Sequence, residues 1–312
     1  MNPQQKRTPM SRKILTLPVV SLYLVAAAWL GNALYAMGDP GGALKYWSPA
    51  LVAVGMITFV IIHGRIFEGS RDLLLFAVTV FVIGWTFETI SIVTGIPFGN
   101  YHYTDVMAPF LGHVPVSVMP AYCLMGYISW AMARILCLQG DGSDFRTQRL
   151  IVPLVAALLM VLWDLSMDPL RATIEQRWIW HDGGSHLGVP LLNYLGWFLV
   201  TWTMFQTYAL LRSPAPSTQA DLGAADTVLL RLSVPLMYLA FAVEYVLNPA
   251  VADPEHAASM VESGQLSVGH IHAATALLTM VTMVPVALVA IHKVWRAEKT
   301  SLYLTLNEET QR

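Results

Sequence analysis

Residues 150–168 read LIVPLVAALLMVLWDLSMD. The stretch is uncharged from Leu150 to Trp163 and then carries Asp164 and Asp168. A helix crosses the hydrocarbon core of a bilayer with about 20 mostly apolar residues, and this segment has that length. Seven further stretches share its character: 14–37, 49–67, 73–95, 115–138, 190–211, 228–248 and 268–292. Composition agrees. Across 312 residues, 55% are hydrophobic and 12% charged, and the mean hydropathy is +0.54. A soluble domain carries about 25% charged residues. The fold class expected is all-α: a polytopic membrane helical bundle of about eight transmembrane helices. Disorder would need low hydrophobicity. A disulfide scaffold would need more than two cysteines. A net charge of −2 without a basic run speaks against a nucleic-acid partner.

Lysine and arginine orient the bundle. With both termini cytoplasmic, the inner segments hold fifteen of these residues and the outer segments only Lys45, Arg171 and Arg177. The first stretch has a basic flank but runs past 20 residues without a small-x-small cleavage site, so it is read as a retained span. The organisation expected is a cytoplasmic tail at 1–13, a single membrane domain at 14–294 and a cytoplasmic tail at 295–312, with a flexible loop at 213–226. Cys123 and Cys137 lie in one span, about 21 Å apart along a helix, too far to bond to each other.

Charged groups inside spans are costly and are functional candidates by default. Four stand out: Glu88, Asp164, Asp168 and Glu244, all in the outer halves of their spans. His102, His113, His181, His186, His256, His270 and His272 gather at the same face. Each has a plainer reading. Asp168 precedes Pro169 and ends a helix in the simplest case. Glu244 suits a structural partner role. Trp85, Trp178, Trp180 and Trp197 suit an interfacial belt. Asp164 and Asp168, spaced i, i+4, share a helix face roughly 6 Å apart. Two such carboxyls in a low dielectric do not both ionise easily, and one is expected to keep its proton near neutral pH, as a general acid must.

Metal binding is the rival use of these residue types, but the spacing is poor. No His-x-x-x-His or Glu-x-x-His pair lies in a span, and His270 and His272 point to nearly opposite sides. No metal and no cofactor is expected. Dinucleotide, P-loop and nucleophile-elbow motifs are absent. All five lysines lie outside the span interiors, which leaves no buried Schiff-base candidate. Gly95-Ile-Pro-Phe-Gly-Asn-Tyr101 echoes Gly188-Val-Pro-Leu-Leu-Asn-Tyr194, but one follows a span and the other precedes one. The echo is read as two similar turns, not as a transporter repeat.

Three stretches together resemble the integral-membrane carotenoid biosynthesis protein family, whose characterised members are carotenoid 1,2-hydratases. They are ETISIVTGIPFGNYHY at 88–103, PFLGHVPVSVMP at 109–120, and WDLSMDP at 163–169 continuing through Trp178-Ile-Trp180 to GVPLLNYLGW at 188–197. The resemblance covers about residues 75–205. Tyr122 departs from it where tryptophan is usual, and His186-Leu187 where an aromatic pair is usual. It implies addition of water to the terminal C1=C2 bond of an acyclic carotenoid end group: lycopene-like, γ-carotene-like or bisanhydrobacterioruberin-like. One of Asp164, Asp168 and Glu88 would protonate the alkene, and a second carboxylate would position water to capture the tertiary cation. Tyr101, Tyr103, Trp178, Trp180 and Trp197 would wall the pocket. Asn193 would hydrogen-bond the water or orient an acid, and Glu244 would add a substrate contact. The partners implied are a hydrophobic carotenoid drawn from the bilayer, membrane lipid and other carotenoid-pathway enzymes. The location implied is the cell membrane, as a multi-pass protein. Three other functions compete: an end-group cyclase using the same protonation, an ion-coupled transporter, and a bare carotenoid-binding protein.

Overall fold

The computed structural model describes residues 9–38, 41–137, 146–213, 224–261, 264 and 266–310. Residues 1–8 of the N-terminal tail and 214–223 of the 213–226 loop lie outside these. The protein is an all-α membrane bundle. In chain order its helices are α1 (Pro9–Met37), α2 (Ala43–Phe67), α3 (Ser70–Thr94), α4 (Val118–Cys137), α5 (Val152–Asp168), α6 (Leu191–Leu211), α7 (Ala224–Val251), the short α8 (Pro254–Ala258), α9 (Val268–Val281) and α10 (Met283–Thr310). Helix stands at each of the eight places read from the sequence. Among the described residues, six helical segments are long and apolar enough to cross a membrane: Leu17–Met37, Ala43–Phe67, Ser70–Thr94, Thr147–Ile174, Ala225–Val251 and Val268–Ala297. The other two long helices, α4 and α6, are less hydropathic because of Tyr122, Asn193, Trp197 and similar residues, which they turn inward.

Three features differ from the sequence reading. Pro169 does not stop the fifth span. The chain continues as a π-helical turn over Pro169–Ile174, so Asp168 is 1% exposed and lies inside the bundle, not at its edge. The last span breaks between Val281 and Met283. Pro285 has no N–H for the carbonyl of Val281, and the helix shifts there. The residues read as a C-terminal tail continue α10 to Thr310.

The aromatic core packs the end of the bundle remote from the acids. Phe76 meets Tyr208 edge-on at 5.1 Å, and Tyr208 meets Trp130 at 5.0 Å. Glu68, between α2 and α3, closes this end. Its carboxylate accepts from Tyr208 Oη at 3.0 Å and Trp130 Nε1 at 3.3 Å, and pairs with Arg134 and with Arg212 at 3.0 Å. Burial alone would raise the Glu68 carboxyl, but the two guanidiniums outweigh it and hold it below its ordinary value.

At the opposite end, short strands form a cap. Strand β1 (Tyr101–Tyr103) pairs antiparallel with β4 (Trp178–Trp180), in the register Tyr101↔Trp180 and Tyr103↔Trp178, while β2 (Phe110–Leu111) pairs with β3 (Val114–Pro115). Alternation along a strand puts Tyr101, Tyr103, Trp178 and Trp180 on one face and His102 and Ile179 on the other.

Candidate active site

Three helices and the cap bring the acids together. Gly95 ends α3 at φ +77°, a left-handed conformation glycine adopts at no steric cost. The chain reverses there, and Gly196 on α6 lets it pass: a Cβ at that position would lie 2.7 Å from the Pro97 carbonyl oxygen. Phe98 then packs on Trp197, and Tyr101 returns to Glu88.

Glu88 is buried and accepts three phenols. Tyr122 Oη donates to Oε1 at 2.6 Å, Tyr103 Oη to Oε2 at 3.0 Å, and Tyr101 also donates to Oε2. Burial, then the charge of Glu88, pushes the Tyr101 and Tyr103 phenols well above their ordinary value of 10. They therefore stay protonated donors.

Asp168 collects donors from a different set. Trp178 Nε1 donates to Oδ1 at 2.8 Å, Trp180 Nε1 to the same oxygen at 3.5 Å, and Asn193 Nδ2 to Oδ2 at 2.7 Å. The same Asn193 nitrogen donates to Asp164 Oδ2 at 3.0 Å. Asp164 Oδ1 is buried without a hydrogen-bond partner among the described residues. The aromatic walls are tight. Tyr122 stacks on Trp197 at 4.7 Å, Tyr101 tilts over Trp180 at 4.8 Å, and Trp163 meets Trp197 edge-on at 6.1 Å.

His186 reaches the helix turn between Asp164 and Asp168. Pro169 has no N–H to bond the carbonyl of Leu165, four residues back. His186 Nε2 lies 3.0 Å from that oxygen and must donate to it, since a carbonyl only accepts.

A cavity of about 320 Å³ opens among these groups, within the range of small-molecule sites. Glu88, Tyr101, Tyr103, Asp164, Asp168, Trp178, Trp180, Asn193, Trp197 and Glu244 all line it, so these ten residues share one space, while none of the outer histidines lines it. Glu244 has a plainer relationship than a substrate contact implies. Its Oε2 lies 2.6 Å from Arg171 Nη2, and Arg171 Nη1 lies 2.6 Å from Glu175 Oε1. Glu175 also pairs with Arg177 at 2.7 Å and accepts from Tyr35 Oη at 2.8 Å. Burial would raise the Glu175 carboxyl, but Arg171, Arg177, Tyr35 and Lys45 hold it down at about 2.

Sequence reasoning missed the roles of Asn32, Tyr35, Tyr122, Arg171 and Arg177 at the cavity. Two carried a legible signal: Asn32 is a polar residue inside a span, and Arg171 follows Asp168 by three positions. Among the described residues no group of three or more His, Cys, Asp or Glu is arranged to hold a metal ion. His102 and His181 form an exposed pair at 3.1 Å, and His270 is exposed while His272 is buried.

Comparison with known proteins gives a family and two partial relatives with different activities. The sequence model of the family described as "Carotenoid biosynthesis protein" matches residues 47–261, more than half of the chain. A bisanhydrobacterioruberin hydratase of Haloarcula japonica is 32% identical over 133 residues, 42% of either chain. An apolipoprotein N-acyltransferase of Haemophilus influenzae is 24% identical over 149 residues, 46% of this chain and 27% of that protein. The chain thus spans under half the length of each of these relatives. No solved structure matches it.

Proposed function

We propose that this chain, which belongs to the carotenoid biosynthesis protein family, is a hydro-lyase that adds water to the terminal C1=C2 bond of an acyclic carotenoid end group. One observation carries the reading: three buried carboxyls, Glu88, Asp164 and Asp168, converge on one aromatic-walled cavity inside a membrane bundle. The similarity to a bisanhydrobacterioruberin hydratase supports the same class of reaction.

The donor pattern divides the work. Asp168 accepts three N–H groups and is arranged as a carboxylate. Asp164 has one oxygen bonded to the shared amide and the other free, and the free Oδ1 is where a transferable proton sits. In this mechanism Asp164 gives its proton to C2 of the alkene, and the π electrons form the new C–H bond. The positive charge is left on the tertiary C1, facing aromatic rings and the Glu88 carboxylate. Water attacks C1, and its proton passes to Asp168. Proton exchange between the two aspartates restores the resting state. No redox step is involved.

Expression in a lycopene-accumulating host, followed by pigment analysis, tests the proposal. A tertiary 1-hydroxy carotenoid is expected. A cyclic end group would replace hydration by cyclisation, and unchanged pigment would overturn the assignment.

A further inference from the structure

The cavity lining holds two chemically different groups of residues. Val52, Ala53, Met56, Leu124, Met125 and Phe241 form an apolar wall suited to a hydrocarbon chain. Besides the acids, the lining holds Asn32, Tyr35, Arg171, Arg177 and Glu244. All of these but Asn32 are interlocked through Glu175. Arg171 bridges Glu175 and Glu244, while Arg177 Nη2 donates to Tyr35 Oη at 2.9 Å. An acyclic polyene has no group that could hydrogen-bond a guanidinium, a phenol or a carboxylate, and it would leave any polar atom that faces the cavity without a partner. The other reactant of a hydration is water, which donates and accepts at once.

Asn32 is the member of the polar group that stands outside that network. It is 6% exposed, lies one turn before Tyr35 on α1, and lines the cavity. Its Nδ2 donates to the Ala28 carbonyl at 2.9 Å, so Oδ1 is the acceptor left for a ligand. Asn32 and Tyr35 both precede the segment that the family matches, residues 47–261. The first helix therefore adds polar groups to a site whose acids belong to the matched segment.

We propose that the Asn32–Tyr35–Arg171–Glu244 group of the cavity lining is a water station, with Asn32 as the positioning residue that holds the water captured by the cation. The proposal rests on the hydratase reading and deepens it: this polar group sets the choice of water over proton loss. Without the held water, the cation at C1 loses a proton from C2 or from a methyl group and returns to an alkene.

The test follows protonation and hydration separately. Purified full-length protein in detergent is given lycopene in D2O, and mass spectrometry reads deuterium in both the alcohol and the recovered polyene. Wild type is expected to form alcohol carrying deuterium at C2. Asn32→Leu should lower alcohol formation roughly tenfold, about the worth of one hydrogen bond to the reacting water, while the recovered polyene gains deuterium. Asn32→Ser, which keeps an acceptor oxygen, should restore alcohol. Two results overturn the station: Asn32→Leu forming alcohol at the wild-type rate, or losing alcohol and deuterium together at normal protein level. A wild type that neither hydrates nor deuterates removes the hydratase reading, and this proposal with it.

Discussion

Asp164 and Asp168 are joined through one side-chain amide. Asn193 Nδ2 lies 3.0 Å from Oδ2 of the first and 2.7 Å from Oδ2 of the second. An NH2 group has two hydrogens, so one nitrogen can serve both carboxyls, and the fixed amide on α6 holds two side chains of α5 in register. The remaining oxygens differ: Asp168 Oδ1 meets two indole N–H groups, and Asp164 Oδ1 meets none among the described residues.

Asp164→Asn and Asp168→Asn should each reduce conversion by about 10²–10⁴-fold, the range of a lost general acid or base. Protein levels should stay near normal, because asparagine keeps size and removes a buried carboxyl. Asp105→Asn, in the exposed turn Asp105–Met107, is the control and should match wild type. Pigment analysis in the lycopene-accumulating host reads all three. Full activity in both span variants would make the pair structural.

Tyr103→Phe and Tyr122→Phe should each slow turnover by about ten- to a hundredfold, the cost of one hydrogen bond to a charged group. Each strips one phenol from Glu88. The pH response follows from the raised phenols. Tyr101 and Tyr103 sit well above 10 through burial first and Glu88 second. Their contribution to stability is complete below pH 10 and fades only as pH rises through the folded values. Melting temperature in detergent should therefore stay flat from pH 7 to 10 as far as these groups decide it.

Glu175 responds to acid. Its folded value of about 2 lies below the ordinary 4.5, despite burial, because Arg171 and Arg177 flank it. A depressed carboxyl contributes stability above its unfolded value, and that contribution is lost as pH falls through the folded one. Wild type should lose thermal stability between pH 4.5 and 2. Glu175→Gln should start less stable at neutral pH and show a smaller loss over that window. Parallel melting curves at both ends would contradict the ion-pair account.

Much of this arrangement is local in the chain and therefore legible there. Spans announce themselves by 20 apolar residues, and Asp164 with Asp168 by helical spacing. The cap's four aromatics are legible only through the family resemblance, whose motifs contain them. The charged network could not be read. Tyr35 and Glu175 are 140 residues apart and Arg171 and Glu244 are 73 apart, and no periodicity links them. Pro169 misleads as well. It signals a helix stop, yet the chain widens into a π-helical turn and carries Arg171 onto the cavity wall.

The positive-inside pattern predicts both termini in the cytoplasm. A reporter fused after Arg312 should be active on the cytoplasmic side only. Activity on the far side would invert the bundle and place the acid cavity toward the cytoplasm.

His186 is legible in the sequence only as a departure from the family's usual aromatic pair. Its Nε2 donates to the Leu165 carbonyl, whose ordinary helical partner Pro169 cannot supply. His186→Ala leaves that oxygen without the donor, an effect worth about 1–3 kcal/mol if the group stays buried. The destabilised turn lies between Asp164 and Asp168, so the damage should also reach turnover. The expected result is a lowered melting temperature together with a several-fold drop in kcat and little change in KM, because the apolar wall is untouched. His186→Gln keeps an N–H donor and should recover part of both. If His186→Ala alters stability without kcat, the histidine braces the loop alone. If it alters neither, the Leu165 carbonyl is satisfied by other means and the positioning role is refuted.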